Sequence, residues 1–126
     1  MTPPINPNPA IHQVQHCTSM MEVRRCVDAL DDVLVPLLVQ RAAYMTQAAR
    51  IKQDVQQVRD EARIQTIVNR VRAQAEAEGG EPAVIEAIYR SLMEVCIAYE
   101  HREFACLHPT ASAADTTTTT SEGAAP

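Results

Sequence analysis

The sequence predicts an all-α protein: a three-helix protomer with a long first helix, paired into an intertwined homodimer. Three observations carry that reading. Between Thr18 and Leu107 there are only two glycines, Gly79 and Gly80, and two prolines, Pro36 and Pro82. The same stretch is rich in Ala, Leu, Arg, Glu and Gln, which lose little freedom on entering a helix. Apolar residues recur there at steps of three and four, and no strand-like alternation is sustained.

Helix 1 starts at Thr18 or Ser19, where Ser19 and Glu22 form a capping-box pattern. Apolar positions follow at Val23, Val27, Leu30, Leu34 and Leu37, and resume at Met45 and Ala48. The member missing from that series is Arg41, and the next position after Ala48 is Lys52. One Arg therefore interrupts the apolar seam, and the only lysine in the chain finishes it. Pro36 falls inside this helix, removes one backbone hydrogen bond and predicts a local kink. The alternative is two helices broken near 35. No Gly, Asn or Ser adjoins Pro36, which favours the kink.

Helix 2 is expected from about Asp60 to Glu78, with Ile64, Ile67, Val68 and Val71 apolar, and stops at Gly79-Gly80. Helix 3 begins at Pro82, a favoured first-turn residue. It carries Val84, Ile85, Ile88, Leu92, Val95, Cys96, Tyr99 and Phe104.

Helix length argues for the dimer. About 33 residues at 1.5 Å each give a rod of ~50 Å, whereas a compact chain of this size has a radius of gyration of ~14 Å. Two shorter helices cannot cover such a rod, so a second copy must bury its apolar face.

Composition narrows the function. The chain has 126 residues, a net charge of −5, three Tyr, one Phe and no Trp. An acidic surface argues against nucleic acid, which requires cations along the phosphates. Scarce aromatics remove the stacking platforms of single-strand binders. No apolar run approaches the ~20 residues of a membrane helix. Cys17, Cys26, Cys96 and Cys106 have no metal-ligand spacing and read as reduced thiols of a cytoplasmic protein. His12, His16, His101 and His108 read as solvated, and neither a metal nor a cofactor is implied. Residues 1–16 hold four prolines and read as a flexible arm. Residues 108–126 hold a threonine run and read as a disordered low-complexity tail. The folded domain is then 17–107.

The informative charges are those on apolar faces. Arg41 and Lys52 are eleven residues apart, which is three turns plus about 20°, so they project the same way about 16 Å apart. Buried cations need a counter-charge. It is either an internal acid such as Glu100 or a bound polyanion. On helix 3, Met93, Cys96 or Ile97, Glu100 and Phe104 share one stripe, which makes Glu100 a candidate semi-buried carboxyl. Apolar surroundings favour the protonated form of such a group, and a nearby cation opposes it. Arg24 lies about 100° off the Arg41 face and ~25 Å along the helix, so it cannot join Arg41 and Lys52 in one site of the same subunit but can reach the site of the other subunit in a dimer. Arg63, with Asp60 one turn earlier, opens helix 2, where the helix dipole favours an anion.

Three segments, VRRCVDALDDVLVPLLVQRAAYMTQAARIKQ, VRDEAR and IAYEHREF, resemble the small all-helical chorismate mutases and the related isochorismate pyruvate lyases. The resemblance covers Met20 to about Phe104. It implies a three-helix protomer that exchanges its first helix in a homodimer with two sites for the dianion chorismate. By resemblance, Arg24 of the partner subunit and Arg41 bind the two carboxylates. Lys52 donates to the ether oxygen whose bond breaks, and Glu100 stands where many members place a Gln as second donor. Asp60 holds the substrate hydroxyl, and Arg63 supports the carboxylate site. Glu donates only when protonated. Ile64 replaces an acid found in the best-known enteric member, and Cys96 replaces a small hydroxyl residue. Pro36 is also unusual in this helix. The opening CTSMMEVR resembles the lyase branch, so lyase activity stands as the alternative. A helical dimer without catalysis is the third reading.

Overall fold

The computed structural model describes residues 14–109. Most of the expected arm and tail lies outside them. Three α-helices and one short 3-10 turn account for nearly all of the described chain, in the order α1 (Met20–Ile51), the 3-10 turn Val55–Gln57, α2 (Glu61–Ala77) and α3 (Pro82–Leu107). Among the described residues there is no strand and no helix long and apolar enough to cross a membrane.

Each helix end is written in local chemistry. At the start of α1 the Ser19 hydroxyl accepts from the Glu22 N–H at 3.2 Å. The Glu22 carboxylate returns to the Thr18 N–H at 3.0 Å and to the Thr18 hydroxyl at 3.2 Å. The return arm of the capping box thus reaches one residue further out than the sequence pattern specifies. Helix α1 then runs unbroken through Pro36, which supplies no N–H to the Asp32 carbonyl.

Asp60 caps α2, its side chain accepting from the Arg63 N–H at 3.0 Å. The far end closes as a Schellman motif. Gly79 N–H donates to Glu76 O at 3.0 Å, and Gly80 N–H donates to Ala75 O at 2.8 Å. This closure requires the left-handed backbone of Gly79, φ 78°. Pro82 then opens α3 at its first turn.

The chain divides into two compact units, Met1–Arg41 and Ala42–Pro126. In the first, Val27, Leu30, Leu34 and Leu37 are all exposed, between 40% and 54%. These are the residues that the sequence aligns on one apolar face.

The second unit has its core where α2 packs on α3. Ile64, Val68 and Met93 are buried together, with Ile67, Tyr89 and Ile97 against them. A smaller cluster of Ala49, Val58 and Phe104 joins the end of α1 to α3, again with Ile97 alongside. The buried stripe of α3 is Met93, Cys96, Glu100 and Phe104. By contrast, Val84, Ile88 and Val95 are exposed, because α3 is apolar on more than one face and α2 covers only one.

Candidate active site

The last residue of the α1 seam and the one acid of the α3 stripe meet. Lys52 Nζ donates to Glu100 Oε2 at 2.7 Å. Glu100 is only 3% exposed and is the one buried charged residue among those described. The Lys52 side chain keeps 28% of its surface, so the pair lies at the edge of the core. Removing two charges from water is costly unless they are paired with good geometry. Here the ammonium also donates to the Val58 carbonyl at 3.3 Å. No buried side-chain nitrogen or oxygen lacks a partner among the described residues.

Local folding presents Lys52 in this way. Its N–H still closes the α1 ladder onto Ala48 O at 2.9 Å. The chain then turns through the 3-10 segment, which is held by a second capping box. The Asp54 side chain accepts from Gln56 N–H at 2.9 Å, and Gln57 Oε1 accepts from the Gln53 and Asp54 N–H groups at 3.0 and 3.2 Å. That turn delivers buried Val58, whose carbonyl faces the ammonium.

An open depression of about 630 Å³ adjoins the pair. Ile51, Lys52, Gln53, Gln57, Arg59, Asp60 and Glu61 line it. Lys52 and Asp60, both candidates from the sequence, therefore share one wall, while Glu100 and Arg63 do not line it. Arg59 is turned toward acids. It donates to Glu94 at 2.8 and 3.0 Å and to Glu61 at 2.6 Å. Its hydrogen bonds hold the Glu94 carboxyl below the ordinary carboxylate range.

Asp60 and Arg63 are both exposed. One Asp60 oxygen is engaged by the α2 cap, which leaves the rest of the carboxylate for another donor. Asp60→Ala is expected to lower stability by about 1 kcal/mol, the usual cost of losing a cap, whereas Asp60→Asn keeps the cap and the melting temperature. Thermal unfolding of the two variants checks this. Arg24 is exposed and Arg41 half-buried, both on α1 in the first unit.

Several ties here were not read from the sequence. The Thr46 hydroxyl donates to Glu103 at 2.8 Å and lies 3.3 Å from the Tyr99 hydroxyl. His108, assigned from sequence to the tail and to solvent, is the half-buried C-cap of α3 and stacks on Phe104. The spacing Phe104-x-x-x-His108 was the available signal, since residues four apart adjoin on a helix face. All four cysteines are free. No three His, Cys, Asp or Glu residues gather as metal ligands among the described residues.

Residues 23–101 match the protein family described as chorismate mutase type II. No curated protein matches the chain.

Proposed function

Since the chain belongs to the chorismate mutase type II family, we propose that it rearranges chorismate to prephenate. The observation that carries this reading is the Lys52–Glu100 pair at 2.7 Å, a buried carboxyl joined to a cation that lines an open depression. The reaction is intramolecular. The ether C–O bond breaks while a C–C bond forms between the pyruvyl side chain and the ring. Every electron stays in the substrate, so no nucleophile or redox partner is called on.

What the protein contributes is conformer selection and charge. Two cations holding the two carboxylates select the compact, reactive conformer and bring the bonding carbons together. We assign those roles to Arg41 and to Arg24 of the partner subunit, with Arg63 supporting the carboxylate site. As the C–O bond lengthens, negative charge grows on the ether oxygen. Lys52 donates to that oxygen, and Glu100, once protonated, donates beside it. The remaining Asp60 oxygen receives the substrate hydroxyl.

The site requires a homodimer on this reading. The exposed Val27–Leu37 stripe supports it, because 32 residues of helix extend ~48 Å and such an apolar stripe is a contact surface. Leu34→Glu is expected to weaken dimerisation by at least about 100-fold, because it would bury an unpaired charge. Sedimentation equilibrium across protein concentration measures this. Four free cysteines support a reducing, cytoplasmic setting.

The opening CTSMMEVR favours the lyase as the second reading. Both are tested by supplying chorismate and isochorismate separately and identifying products. Prephenate from chorismate supports the mutase, and pyruvate with salicylate from isochorismate supports the lyase. An intact dimer that consumes neither leaves only the non-catalytic helical module.

A further inference from the structure

We propose that His108 is a positioning residue that holds the end of α1, and with it Lys52, in place while substrate separates Lys52 from Glu100. The inference rests on the mutase reading for its function and on four local observations for its geometry.

First, the last four carbonyls of a helix have no partner inside the helix. Ala49 is among these residues in α1, and it is completely buried. A buried carbonyl without a donor is costly. Second, His108 Nε2 lies 2.8 Å from Ala49 O. A carbonyl oxygen only accepts, so Nε2 must carry the proton, and the neutral ring is the Nε2–H tautomer. Third, the imidazole is fixed on its other side. It stacks on Phe104 with centroids 4.0 Å apart and planes 22° apart, and the backbone N–H of His108 donates to Phe104 O at 2.9 Å. Fourth, Ala49 is three residues before Lys52, and Phe104 is four after Glu100. The tie therefore sits one turn away from the ion pair on both helices.

The consequence appears when substrate binds. An ether oxygen that accepts from both Lys52 and Glu100 takes the place of the direct contact between them. The end of α1 is then held to α3 by the Thr46 hydroxyl, 2.8 Å from Glu103 and 3.3 Å from the Tyr99 hydroxyl, and by His108 at Ala49. Of these, His108 acts on the helical turn that leads into Lys52. A slack turn would leave the carboxylate clamps intact but misplace the donor. The expected signature is a loss in kcat with little change in KM.

The test uses His108→Phe, which keeps an aromatic ring on Phe104 but has no donor, and His108→Gln, whose amide N–H can reach the same carbonyl. In the full-length dimer His108→Phe is expected to lower kcat about tenfold with KM within about twofold, a loss that corresponds to ~1.4 kcal/mol. His108→Gln restores most of it. Unaltered kcat in His108→Phe, or equal impairment of the two variants, overturns the proposal. Nitrogen NMR decides it without turnover. The ring should be the Nε2–H tautomer, and the resonance of the single lysine ammonium should move in His108→Phe and return in His108→Gln. An Nδ1–H ring or an unmoved lysine signal also overturns it. Wild-type protein that leaves chorismate untouched sinks the mutase reading instead, and the NMR result still stands on its own.

Discussion

Lys52→Ala is expected to reduce chorismate turnover by about 10³-fold or more while the helical dimer persists. One preorganised donor aimed at developing charge is typically worth 10²–10³ in rate, about 3–4 kcal/mol. Lys52 also brings a full positive charge, and no other lysine exists in the chain to replace it. The substitution has a second effect, because Glu100 is 3% exposed and loses its cation. Breaking a buried pair from one side costs more stability than removing both charges. The Lys52→Ala, Glu100→Gln double variant should therefore regain stability over Lys52→Ala alone without regaining activity. Steady-state kinetics, circular dichroism and sedimentation on the three proteins separate chemistry from folding. A single variant that retains a tenth of wild-type kcat would show that Lys52 does not face the breaking bond.

Glu100→Gln should change the shape of the pH profile more than its height at low pH. An ether oxygen only accepts, so both neighbours must present a hydrogen to it. In the free protein Glu100 receives the Lys52 hydrogen bond at 2.7 Å, which calls for an acceptor oxygen. On the mutase reading Glu100 must carry a proton while substrate is bound, and any proton taken up on binding has a fixed sign. The protonated form is favoured at low pH, so kcat/KM is expected to fall as pH rises. Gln donates from its amide at every pH. The variant should have a flat alkaline limb and exceed the wild type at high pH, by about tenfold for each pH unit beyond the fall. Calorimetry of an inert substrate analogue in buffers of different ionisation enthalpy should detect the proton in wild type and not in the variant. If Glu100→Gln keeps the wild-type pH dependence, the second donor is another group.

Much of this architecture was readable because helix ends announce themselves. Ser19 with Glu22, Asp60 before α2, Gly79-Gly80 and Pro82 each mark a boundary through a specific hydrogen bond, a missing N–H or a left-handed backbone. The stripe Met93, Cys96 or Ile97, Glu100 and Phe104 followed from periodicity, and of the two alternatives Cys96 is the buried one. Lys52 stood out because a seam of Val and Leu should not end in a cation. What stayed hidden were contacts made by the backbone. Val58 faces Lys52 with a carbonyl, and Ala49 meets His108 with another. Every residue carries that group, so no side-chain pattern signals it. Nor could periodicity tell which apolar face of α3 is covered. The roles of Arg24 and Arg41 rest on the resemblance and on their place in the α1 sequence.

On the dimer reading, the exposed stripe of α1 gives this protein's folding two different molecularities. The α2–α3 hairpin joins neighbouring segments across the four-residue link 78–81, so its core of Ile64, Val68 and Met93 can form within one chain and at a rate indifferent to dilution. Val27, Leu30, Leu34 and Leu37 wait for a second chain on the dimer reading. Their burial is a second-order event that slows as the protein is diluted. On the same reading, a catalytic site that borrows Arg24 from a partner is completed only at that later encounter, and activity is expected to appear with the kinetics of assembly rather than those of helix formation.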